Sequence, residues 1–147
     1  MAPDLTQSIR DALIADAEIT GQLPAYLGSF PIFTRRPVPN DVPLPLVIVS
    51  QDISLGEEDG IRDFRPIIHR DVAVYHSNEL PANYRQVDVI AQSVRRLFNR
   101  QRFSLTLPTG WTLTDIQAEV PIAVEVEEDK ITGRVVQLSI RVALLDD

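Results

Sequence analysis

Cysteine is absent from this 147-residue chain, histidine occurs twice, and Lys130 is the only lysine. Without cysteine there is no disulfide framework, no thiolate nucleophile and no thiolate metal ligand. No apolar run approaches the ~18 residues that a membrane span requires. The opening Met1-Ala2-Pro3-Asp4 lacks the basic-then-apolar order of a secretory signal, so synthesis in the cytoplasm is expected. The glycine patterns of a P-loop, a Rossmann turn and a nucleophile elbow are missing as well. Because lysine is so scarce, almost every positive charge is an arginine, whose planar guanidinium pairs bidentately with carboxylates and suits contacts between subunits. Genome composition produces the same bias.

The formal net charge is -7, with 44% hydrophobic and 24% charged residues. That balance fits one folded domain, residues 1–147, with a core of ordinary size. An acidic chain does not grip nucleic acid over a broad basic face, because phosphate binding needs neutralising cations. It is compatible with a surface past which DNA slides without being held.

Helical spacing of Leu5, Ile9, Ala12, Leu13 and Ala17 predicts a first helix over 4–17, with Asp4 as its cap and Gln7 as capping-box partner. Residues 22–40 read as a loop punctuated by prolines. Leu46 to Val49 is a continuous apolar run that predicts a strand covered on both faces. Residues 55–63 read as a polar loop, and Glu57, Glu58, Asp59 and Gly60 within it form a candidate mobile assembly loop. They lack the alternating acids of an EF-hand. A second strand is expected over 66–76, and a second helix over 81–99 with Pro81 at its first turn and Val87, Ile90, Val94, Leu97 and Phe98 buried.

The last third alternates strictly. Ile116, Ala118, Val120, Ile122, Val124 and Val126 are apolar, as are Val136, Leu138, Ile140, Val142 and Leu144. This predicts a long antiparallel hairpin with its even face on the core and an acidic odd face. The expected fold is α+β: a two-layer sandwich, with an antiparallel sheet of about four strands, two main helices on one face, and the long terminal β-hairpin.

Chemistry is scarce. His69 and His76 are seven residues apart on one strand, which puts them on opposite faces and excludes a shared metal. No catalytic, cofactor or metal residue is assigned. Arg95, Arg96, Arg100 and Arg102 gather at the end of the second helix, where positive charge complements the helix dipole. They are also candidates for a subunit interface, and for phosphate contact. Trp111 and Phe103 read as core.

Several segments together resemble the tail terminator (tail completion) proteins of tailed bacteriophages. They are Ile9-Arg10-Asp11-Ala12-Leu13-Ile14-Ala15-Asp16, the proline-flanked Leu44 to Gln51, Arg70-Asp71-Val72-Ala73-Val74-Tyr75, the helix at Tyr84 to Leu97, and the closing Gly133 to Val142. The long acidic stretch from Glu125 to Asp129 departs from the pattern. The resemblance implies a structural virion protein in the tail neck, made in the host cytoplasm. It implies a hexameric ring that caps the head-proximal end of the tail tube, stops tube polymerisation and joins the tail to the head. Its partners would be further copies of itself, the tail tube protein, a head-side connector or stopper protein, and the sheath if the tail is contractile. Genomic DNA would pass through the lumen in transit only. No cofactor, catalysis or membrane is implied. On that reading the candidate lumen-facing acids are Asp115, Glu119, Glu125 and Glu127, with Glu128 and Asp129 at the hairpin tip; the alternative is that the same face is solvated on the outside of a ring. The other readings are a stopper or head-completion protein, and a small α+β enzyme or ligand-binding module.

Overall fold

In the computed structural model the described residues are 3–34, 38–39, 41–50, 54–59, 64–101, 103–126 and 129–144, with backbone only for 54–59 and 64–66. In chain order they form α1 (Thr6–Ala15), α2 (Ala17–Thr20), β1 (Ile32–Phe33), β2 (Leu46–Val49), β3 (Ser54–Asp59), β4 (Phe64–Ser77), α3 (Pro81–Phe98), β5 (Trp111–Ala118), β6 (Ile122–Val126) and β7 (Ile131–Leu144).

The seven strands make one sheet in the order β1-β2-β4-β7-β5, with β3 on β4 and β6 on β7. Two fourteen-residue strands, β4 and β7, form its centre and pair antiparallel from Ile67 with Arg141 to Ser77 with Ile131. The opposite edge of β4 is shared, β3 covering its first half and β2 its second. The opposite edge of β7 is shared in the same way by β5 and β6. The expected four strands therefore correspond to four antiparallel tracks, two of them broken. A two-residue β1 runs parallel to β2, so the sheet is mixed rather than purely antiparallel. It lies within the stretch read as loop, too short to carry a period.

Only one long helix packs on the sheet, not two. The eighteen-residue α3 lies against β4, β7 and β5, and buries Val87, Ile90, Ala91, Val94 and Phe98 at helical spacing. Pro81 takes the first turn as its missing N–H predicts. The N-terminal helix is shorter than its periodicity suggested because Asp16 leaves the helical region and caps α2, accepting from the Glu18 N–H at 2.9 Å. Asp4 does accept an N–H, that of Thr6 at 3.0 Å, but Gln7 turns away to Asp11 and no capping box forms. Residues 55–59 of the expected loop, with Glu57, Glu58 and Asp59 among them, belong to strand β3; Gly60 lies outside the described residues.

The core is one layer between the helices and the inner sheet face. Val47 and Val49 of β2, Ile68, Val72 and Val74 of β4, Ile116 and Ala118 of β5, and Val136 to Val142 at even positions of β7 meet Leu5, Ile9, Leu13 and the α3 stripe. Arg70 also points to this face and is 1% exposed. Its Nη2 reaches Asp4 Oδ1 at 3.3 Å, which ties the segment before α1 to the middle of the sheet. Burial pulls the Arg70 pKa down, and the Asp4 charge opposes that. The Asp4 carboxyl is itself held below its ordinary range, first by the Thr6 N–H.

Gly133 lies opposite Tyr75 in the central ladder, and a Cβ there would stand 2.6 Å from the tyrosine ring and 3.1 Å from the Val74 carbonyl oxygen. Gly133→Ala is expected to cost about 1–3 kcal/mol through overpacking. A chemical-denaturation midpoint equal to that of the wild type would contradict this contact.

Candidate assembly surface

Directly opposed residues in an antiparallel ladder share a face, so register decides what each side of the terminal hairpin displays. Ala118 faces Leu138, whereas Ile122 faces Val135. Residues 119–121 of one strand thus span two residues of the other, 136 and 137. Pro121 has no N–H to continue the ladder. Such a one-residue slip turns every following side chain to the other side. The even positions that close the core at Ile116 and Ala118 point away from the helices at Ile122, Val124 and Val126. A second slip, between Leu113 and Asp115, turns the preceding residues, so Trp111 and Leu113 pack against the core at odd positions.

The expected continuous acidic face is therefore divided. Asp115 stands on the outer face opposite Arg141, and Glu119 is exposed at the slip with its N–H on the Gln137 carbonyl at 2.9 Å. Glu125 points to the helical side instead. Its Oε1 accepts from the buried Thr132 hydroxyl at 2.6 Å and lies 3.8 Å from Arg134 Nη1. Arg134 Nε completes the group at 2.6 Å from Asp88 on α3. These charge-assisted bonds lock the hairpin tip onto α3. Glu127 and Glu128 lie outside the described residues, and Asp129 is exposed at the turn.

Of the four arginines, Arg95 donates through Nε to the Ala118 carbonyl at 3.2 Å and Arg96 pairs with Glu18 at 2.7 Å, both within the chain. Arg100 is exposed with a left-handed φ of 60°, and its N–H is held by the Ile116 carbonyl. Arg102 lies outside the described residues. Phe103 is not core: it is 98% exposed on the turn after α3. It sits in a turn bounded by the Gln101 N–H on the Phe98 carbonyl and the Ser104 N–H on the Gln101 carbonyl, outside the strands whose faces the core covers.

The outer face has two regions. One is an open basin of about 630 Å³ of mixed character, lined by the polar His69, Asp71, Glu119, Gln137 and Ser139 together with Val120, Ile122 and Leu138. His69 Nδ1 lies 3.3 Å from Ser139 Oγ, while His76, on the other face, meets Gln86 at 3.0 Å. Burial raises the Asp71 pKa, partly offset by His69. The other region is an apolar cleft of about 250 Å³ between Val38, Leu44, Leu46, Ile48, Tyr75, Val126 and Ile131, with Asp129 at its rim. Tyr75 leans over Gly133 to form its wall. Among the described residues, no cluster of three or more His, Cys, Asp or Glu side chains could hold a metal ion.

No protein-family profile matches the chain, and no curated protein matches it by sequence. The fold, however, is shared. The chain is similar to a chain in a solved structure of the virion of a native gene transfer agent particle, with a TM-score of 0.74 and 16% identity. The likeness spans 95% of each chain.

Because the Asp71 pKa is raised, the protonated carboxyl adds stability below the ordinary unfolded value, and that stability is lost as pH rises through the folded value and the group ionises. Asp71→Asn is thus expected to raise the thermal midpoint at pH 7, and the gain should vanish below pH ~3.9. A lower midpoint at pH 7 would show that the charge has a favourable partner instead.

Proposed function

We propose that this protein is a structural component of a phage-type virion that assembles head-to-tail into a ring. The ring caps the head-proximal end of the tail tube, ends its polymerisation and joins it to the head-side connector. The observation that carries this reading is the near-complete fold likeness to a chain of a gene transfer agent virion, a phage-like particle. It agrees with the resemblance of the helix, strand and hairpin segments to tail terminators. The surfaces are suited to assembly. A ring needs two different, complementary patches on each copy that close by rotation, and the hairpin shows opposite chemistry at its two ends. The likeness to a virion chain supports a non-enzymatic, structural role.

Lumen lining is assigned to the polar half of the outer face, through Asp71, Asp115 and Glu119. Carboxylates there keep DNA phosphates from binding as the genome passes. Glu125, tied to Arg134 and Thr132 on the opposite side, is removed from that assignment.

Electron microscopy of the purified chain mixed with tail tubes tests the role. Rings seated at one end of each tube are expected, together with an arrest of further growth. In a parallel mixture with head-side connectors, density found on the connector and not on the tube would favour a stopper, and density on neither would refute both. For the lumen, Asp115→Lys with Glu119→Lys should slow DNA delivery while rings remain intact. Particles of unchanged infectivity would sink that assignment.

A further inference from the structure

The turn that follows α3 and the apolar cleft of the outer sheet face are both unexplained by packing within one copy. Phe103 is 98% exposed, the most exposed of the large apolar side chains among the described residues. It is not a loose appendage. The turn is fixed by the Gln101 N–H on the Phe98 carbonyl at 3.1 Å, and by the Ser104 N–H and hydroxyl on the Gln101 carbonyl at 3.0 and 2.7 Å. Arg100 is anchored at its base by the 2.8 Å bond to Ile116. The result is a preorganised aromatic knob with a basic flank, to which Arg102 adds charge in sequence.

The cleft is its complement. Leu44, Leu46, Ile48, Tyr75, Val126 and Ile131 give it an apolar floor and walls. Asp129 marks its rim, and Glu127 and Glu128 precede it in the sequence. The knob is basic and the rim acidic. Within one copy they cannot meet. The cleft lies where β4 ends and α3 begins, since Asn83 binds the Ser77 carbonyl and Ser77 pairs with Ile131. The knob follows the other end of α3, an eighteen-residue helix about 27 Å long.

We infer that the Arg100–Phe103 turn of one copy inserts into the apolar cleft of the next, with Phe103 as the central anchor and Arg100 facing the acidic rim. The contact joins two different patches, so it is heterologous and propagates in one direction until rotation closes it. An aromatic anchor in a desolvated pocket ringed by polar groups is the usual energetic centre of an interface. The inference rests on the ring reading above, and names the joint between its copies.

The test uses the full chain. Phe103→Asp should raise the concentration at which rings form, read by light scattering and microscopy, on the order of tenfold or more, while circular dichroism and the monomer's thermal midpoint stay unchanged. Arg100→Glu and Asp129→Arg should each weaken assembly, and combining them should restore part of it. The cysteine-free sequence allows a direct check: Phe103→Cys with Val126→Cys should yield a ladder of disulfide-linked multimers on oxidation. Wild-type rings accompanied by Phe103→Asp rings at the same concentration, or the absence of a ladder, overturn this joint and leave the ring reading intact. Wild-type protein that stays monomeric both alone and at tube ends overturns both.

Discussion

The pairing of β4 with β7 is the constraint on which the rest of the molecule depends. Both strands are fourteen residues long, and their ladder runs without a slip from Ile67 to Ser77. Every other strand except β1 attaches to one of these two, and α3 lies across both. Because the ladder is continuous, the inner face carries a row of buried apolar side chains, Ile68, Val72, Val74, Val136, Leu138 and Ile140, with Arg70 buried among them. The outer face of the same two strands is free to vary. It runs from His69 and Asp71 at one end to Tyr75 and Ile131 at the other, polar to apolar along a single ladder.

The flanking tracks are broken, and the breaks give the outer face its character. On the β7 side, β5 serves the core and β6 serves the surface. Arg134 holds that division in place, being 13% exposed and bonded to Asp88 of α3 while Glu125 and Thr132 close around it. A strand tip with exposed Ile122 and Val126 would otherwise gain by turning these side chains inward. The charged group on the helical side opposes this, since Glu125 would lose its partners. Arg70 does comparable work at the other end of the ladder, drawing Asp4 and the start of α1 onto the sheet.

Much of this was legible in the sequence, and the reasons are local. The α3 stripe and Pro81 specify a helix, and the even apolar positions of 136–144 specify a strand face, because periodicity and burial agree there. The two histidines fell on opposite faces as their spacing requires. What was not legible was register between strands. Ile116 to Val126 reads as one period-two pattern, yet the pattern is uninterrupted only in sequence; residues 119–121 change which side it faces. Pro121 was the signal, a residue that cannot hydrogen-bond in a ladder. Asp115 and Glu125, which the alternation groups on one face, stand on opposite sides of the sheet for that reason. The exposure of Phe103 depends on turn geometry, which composition does not carry.

The segment 119–121 also has a property unlike that of most connections. Surface loops ordinarily accept insertions and deletions, since added residues only extend the excursion into solvent. Here the count acts as a parity setting. Adding or removing one residue would rotate the tip by half a turn relative to the base, bury Ile122, Val124 and Val126 beside α3, and put Glu125 in the cleft. Two residues would restore the original sides. Length at this point therefore governs the identity of the displayed surface, and the outer face of the hairpin is encoded as much by an odd number as by any side chain.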